Sequence, residues 1–129
     1  MWKQKFMTSV EEVELFLNAL KQKLQFHPIG IVFRPRNKNL DTLALLDIVP
    51  GHRNDVIKKL TSLNYMGGPK NNLEDPKQPD YYEFGVMIKG YEIYIKISIG
   101  LFNKPIDCMS FHIAEYEINY PLKDKRNER

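Results

Sequence analysis

Between positions 83 and 112 the chain carries an acid, a phenol, an ammonium, a hydroxyl and an imidazole: Glu83, Tyr94, Lys96, Ser110 and His112. Together such groups could bind a phosphate and move protons near neutral pH, because imidazole titrates there and a carboxylate accepts protons. They share one surface only if the segments that hold them are strands, and a period of two supports that. Ile93, Ile95, Ile97 and Ile99 alternate with Tyr94, Lys96 and Ser98. Met109, Phe111 and Ile113 alternate with Cys108, Ser110 and His112, and Tyr82, Phe84, Val86 and Ile88 alternate with Tyr81, Glu83, Gly85 and Met87. Strands at Tyr82 to Ile88, Glu92 to Ile99 and Asp107 to Ile113, joined by short turns, make an antiparallel meander with one apolar and one chemically equipped face. Polar residues also populate the wet side of an ordinary antiparallel sheet, so alternation alone leaves a reactive face and a plain surface both open.

The apolar face needs a cover, and the first half of the chain offers helices. Thr8 or Ser9 followed by Glu11-Glu12 and then Val13, Phe16, Leu17, Leu20 and Leu24 predicts a capped amphipathic helix over Val10 to Gln25. His27-Pro28 ends it, and Ile29 to Phe33 is a short apolar run suited to a strand. Leu40, Leu43, Ala44, Leu46 and Ile48 resume a helical period, giving a second helix over about 39 to 47. Pro50, with Val56, Ile57, Leu60 and Leu63 behind it, opens a third that runs to Asn64. From Gly67 to Asp80 the run GGPKNNLEDPKQPD has the composition of an exposed, mobile loop.

With 129 residues and a hydrophobic fraction of 43%, the chain fits one α+β domain over 1–122, N-terminal helices packed on a small antiparallel sheet, followed by a charged tail over 123–129. The start, Met1 to Phe6, lacks the features of a secretory signal, and no apolar run is long enough to span a membrane, so a cytoplasmic location is expected. His27, His52, His112 and the single Cys108 fall on different elements without the spacing of a metal site, and no metal or other cofactor is expected. Phosphate-binding glycine loops and nucleophile-elbow motifs are also missing. The net charge of +3 is mild. Arg34, Arg36, Lys38 and Arg53 could extend a cationic surface towards an RNA backbone, or form a solvated loop.

At Tyr82-Glu83-Phe84-Gly85, Tyr94-Ile95-Lys96-Ile97 and Ser110-Phe111-His112 the sequence resembles the motility quorum-sensing regulator (MqsR) family of RelE-like toxins. The resemblance runs from about Leu43 through Leu60 and Asn64-Tyr65 to His112. It implies a RelE-like α+β fold, a metal-independent mRNA endonuclease acting on free or ribosome-bound mRNA, and a cognate antitoxin. Carried over by motif, Tyr94 matches the family's active-site tyrosine and His112 takes the place of its C-terminal lysine. Glu83 stands where the family has glutamine, and Lys96 matches the lysine two residues beyond the tyrosine. The lysine that follows the family's Asp-Phe-Tyr-type segment has no counterpart at Met66-Gly67, and the chain continues past His112 to Arg129. The implied chemistry is attack of a ribose 2′-hydroxyl on the adjacent phosphate: Glu83 or Tyr94 assists deprotonation, His112 protonates the leaving oxygen, and Lys96 stabilises phosphoryl charge. A non-catalytic RNA- or ribosome-binding protein, or a protein-interaction module, remain as other classes.

Overall fold

The computed structural model describes residues 8–123 and has an α+β architecture. The sequence reading of Met1 to Phe6, and all of the expected tail beyond Lys123, lie outside the described residues. Helix α1 spans Val10–Phe26 and starts on a capping box, in which Ser9 accepts from the Glu12 backbone and Glu12 accepts from the Ser9 backbone. Those two bonds satisfy amide hydrogens that a helix start otherwise leaves unpaired. The helix buries Val13, Leu17 and Leu20. Strand β1, Ile31–Phe33, is shorter than the predicted run, and α2 follows at Asn37–Leu46.

The predicted third helix is cut in two. Helix α3 covers only His52–Lys58, and a 3-10 turn covers Ser62–Asn64. The break lies at Thr61, which caps the second turn by accepting from Leu63 while Asn64 accepts from the Thr61 backbone. A residue whose hydroxyl offers the backbone an alternative partner favours a fresh start over continuation.

Five strands form one mixed sheet in the order β1-β5-β4-β3-β2, where β2 is Tyr65–Lys70, β3 Tyr81–Ile88, β4 Tyr91–Ser98 and β5 Ile106–Ile113. The predicted meander β3-β4-β5 is antiparallel throughout, while β1 joins β5 in parallel. Strand β2 corrects the loop reading of Gly67 onwards: Tyr65 to Lys70 pair with β3 through an irregular register. Glycine and proline suit such a bulged edge strand, which is why composition read it as a turn. The rest of the expected loop is not simply exposed, because its own Asn72 is buried and donates to the Met109 sulfur.

One core joins α1, α3 and the apolar sheet face, with Phe84, Ile93, Ile95, Ile97 and Phe111 essentially inaccessible beside Ile57 and Leu60. Alternation misplaces one pair in β5. Ile95 faces Phe111 and Lys96 faces Ser110, but Ile97 faces Cys108, so Met109 is an extra residue. This bulge turns Cys108 into the core and carries Met109, expected to point there, towards Asn72. Beyond β1 the free edge of β5 is capped by α2: Asn39 donates to the Met109 carbonyl and accepts from Phe111 N–H, and Thr42 accepts from Ile113 N–H. Two side chains thus do what a neighbouring strand would do for buried backbone groups.

Candidate active site

The second sheet face is covered at both ends and open in the middle. At one end Ser98 donates to the Pro79 carbonyl and Asn72 reaches Met109. At the hairpin end the segment after β5 returns across the sheet. Its anchor is Glu92, which accepts from Ile118 N–H at 3.1 Å and from Tyr120 Oη at 2.8 Å. Gly85 permits the close approach, since a Cβ there would lie 2.5 Å from Tyr120 Oη and 2.8 Å from Ile118 Cδ1. Between the covered ends a cavity of about 340 Å³ opens, with Glu83, Tyr94 and His112 in its wall beside Met66 and residues 114–118.

These three residues come from three strands. Tyr94 on β4 pairs with Gly85 on β3 and His112 on β5, and Glu83 lies one same-face position along β3. Tyr94 Oη donates to Glu83 Oε2 at 2.6 Å, and the Tyr94 and His112 rings stand 5.5 Å apart at 47°. Burial, reinforced by the Glu83 carboxylate, pushes the Tyr94 phenol well above its ordinary value, so it stays protonated at neutral pH. Tyr94 is therefore a donor that orients Glu83, and the acceptor role falls to Glu83. His112 Nδ1 meets the Ile113 carbonyl at 2.9 Å; the carbonyl must accept, so Nδ1 carries hydrogen and Nε2 is left for a ligand.

Lys96 does not join this group. It pairs with Glu83 and Ser110 in register, yet its ammonium lies over the Tyr81 ring, 4.4 Å from the centroid. Ser110 is buried. The cation beside Glu83 is Lys70, whose Nζ sits 2.7 Å from Glu83 Oε1. That contact raises the Lys70 ammonium and fixes it as charged. Gly67, opposite Glu83, leaves the space: a Cβ at 67 would fall 2.7 Å from Glu83 Oε1. Sequence reasoning missed Lys70 because register shifts on both sides of Gly67 spoil any counting of alternate positions along β2. It also missed the returning segment, whose irregular backbone has no period to read.

The expected cationic patch is largely neutralised from within. Arg34 is held by Asp107, which raises the guanidinium further, and it also approaches Glu74 at 3.7 Å. Arg36 pairs with Glu74 at 2.9 Å and Lys38 with Glu115 at 2.6 Å. Arg53 is no surface contact: it is 8% exposed, donates to the Pro50 carbonyl, and lies over the Phe33 ring at 4.0 Å. Its aliphatic stem and flat cation pack well on an aromatic, which draws it away from solvent.

Among the described residues no group of His, Cys, Asp and Glu side chains could hold a metal ion, and no helix is long and apolar enough to cross a membrane. No family model, curated protein or solved structure matches this chain.

Proposed function

We propose that this chain is a metal-independent endoribonuclease, the toxin of a toxin–antitoxin pair, that cleaves mRNA by attack of a 2′-hydroxyl on the adjacent phosphate. The observation that carries the reading is the convergence of Glu83, Tyr94 and His112 from separate strands on one open cavity. In the proposed step Glu83 takes the 2′-hydroxyl proton; each of its oxygens already accepts one hydrogen bond and keeps a lone pair for another. The 2′-oxygen bonds to phosphorus, the bond to the 5′-oxygen breaks, and His112, entering the step as the imidazolium with hydrogen on both ring nitrogens, delivers the Nε2 proton to that oxygen. The products are a cyclic 2′,3′-phosphate and a free 5′-hydroxyl. Tyr94 positions Glu83, and Lys70 supplies positive charge beside it, the role that the resemblance implies for Lys96.

The resemblance at Tyr94, Lys96 and Ser110 to His112 supports the same reading and supplies the cognate antitoxin as the protein partner. RNA phosphates would have to displace Asp107, Glu74 and Glu115 from Arg34, Arg36 and Lys38, so the salt dependence of binding is expected to be mild. The test is induced expression of the wild type and of His112→Ala in a bacterial host, with growth followed and new RNA 5′ ends mapped. Growth arrest and discrete cleavage, both lost in the folded variant, support the reading. Intact RNA in the presence of folded wild-type protein overturns it in favour of a binding module.

A further inference from the structure

The segment after β5 does more than cover the sheet. Its backbone is pinned at both ends, by Ala114 N–H to the Glu92 carbonyl at 2.8 Å and by Ile118 N–H to the Glu92 carboxylate at 3.1 Å. Ile118 is buried and acts as a further anchor. Between the pins Tyr116 is 86% exposed, although tyrosine usually buries its ring. The same residue contributes to the wall of the cavity that holds Glu83, Tyr94 and His112. Next to it Glu117 also lines that wall, and among the described residues it has no ion-pair partner. Glu115 on the other side differs, being engaged by Lys38.

An aromatic face held out at a cavity rim, with a carboxylate beside it, matches the needs of a nucleobase: a surface to stack on and an acceptor for an amino group. The anchoring matters, because a platform that is already ordered loses little freedom when a base settles on it. We propose that Tyr116 and Glu117 form a nucleobase subsite, in which Tyr116 stacks on the base flanking the scissile phosphate and Glu117 accepts from its exocyclic amino group. The subsite then favours adenine, cytosine and guanine over uracil, which has no such group. It deepens the nuclease reading above and rests on it for the position of the phosphate.

Binding and cleavage are measured separately, so that the two ideas fail separately. Fluorescence anisotropy with 2′-O-methyl oligonucleotides, which cannot be cut, compares sequences differing at one base, and the unmodified RNAs report cleavage. Tyr116→Ala is expected to weaken binding roughly 10-fold, as loss of one base–aromatic stack does. Glu117→Gln is expected to keep most of the affinity but to level the preference against uracil. Phe102→Ala, which removes a fully exposed aromatic outside this cavity, serves as the unaffected control. Retention of wild-type affinity by Tyr116→Ala, or of wild-type base preference by Glu117→Gln, overturns the subsite. A wild type that binds the oligonucleotides with the expected preference and cuts none of the RNAs overturns the nuclease reading and upholds the subsite. A wild type that binds none overturns both.

Discussion

Glu83 and Glu92 lie on the same face of the same sheet and are used in opposite ways. Glu92 gives both carboxylate oxygens to the segment that crosses the sheet, one to Ile118 N–H and one to Tyr120 Oη, and so closes its end of the face. Glu83 also gives both oxygens, to Tyr94 and Lys70, but these partners stand beside an open cavity rather than over it. A satisfied carboxylate is therefore not by itself a sign of structure or of chemistry; what separates the two is whether the partners exclude solvent or admit a ligand. The opposite face offers no such choice. There Phe84, Ile93, Ile95 and Phe111 belong to one buried cluster with Ile57 and Leu60, and what these side chains contribute is burial.

The contrast between the faces predicts a separation of stability from activity. The largest effect is expected at Phe84, which is wholly buried: Phe84→Ala should cost about 3–5 kcal/mol of unfolding free energy in a denaturant titration. His112→Ala should instead reduce kcat/KM for RNA by a factor on the order of 10² to 10⁴ while moving the denaturation midpoint little. If His112→Ala unfolds the protein as readily as Phe84→Ala does, the open face is structural and the contrast collapses. Between these lies Gly85→Ala, whose added methyl group collides with Tyr120 and Ile118. Overpacking of this kind should cost about 1–3 kcal/mol, read as a lower thermal midpoint, and Tyr120→Ala in the same chain should recover part of it by opening space.

How much of this was legible in the sequence follows from where regular periods hold. Helix α1, legible from its 3.6 period behind a Thr8 or Ser9 cap, and the shared face of Glu83, Tyr94 and His112, legible from a period of two, rest on stretches where the repeat is unbroken. Cys108 and Met109 exchanged sides because a single extra residue resets alternation, and a bulge leaves no mark in composition. Lys70 stayed hidden for the same reason on β2. Alternation places Lys96 on the right face but not beside the right neighbour: a flexible ammonium stem chooses among nearby partners, and the Tyr81 ring lies within reach. The four basic residues show a similar limit, since their types were visible but the acids that pair with Arg34, Arg36 and Lys38 come from positions up to 77 residues away.

The smallest effect, and the one that isolates the Tyr94–Glu83 contact, appears only in alkali. Burial and Glu83 raise the Tyr94 phenol above its ordinary value of 10.0, and burial also raises Tyr82 and Tyr120. Below pH 10 the phenol is neutral in both folded and unfolded chains, and its ionisation makes no difference to stability. Above pH 10 the unfolded chain releases the proton while the folded chain retains it. Stability therefore falls as pH rises towards the folded value, with a limiting slope of about 1.4 kcal/mol per pH unit for each such group. Tyr94→Phe removes one of these phenols, so its stability should decline more gently than that of the wild type between pH 10 and 11.5, whatever constant offset the lost hydrogen bond adds at neutral pH. Parallel decline of the two proteins would mean that Tyr94 ionises as freely folded as unfolded, and that Glu83 lacks the fixed donor on which its separation from Glu92 depends.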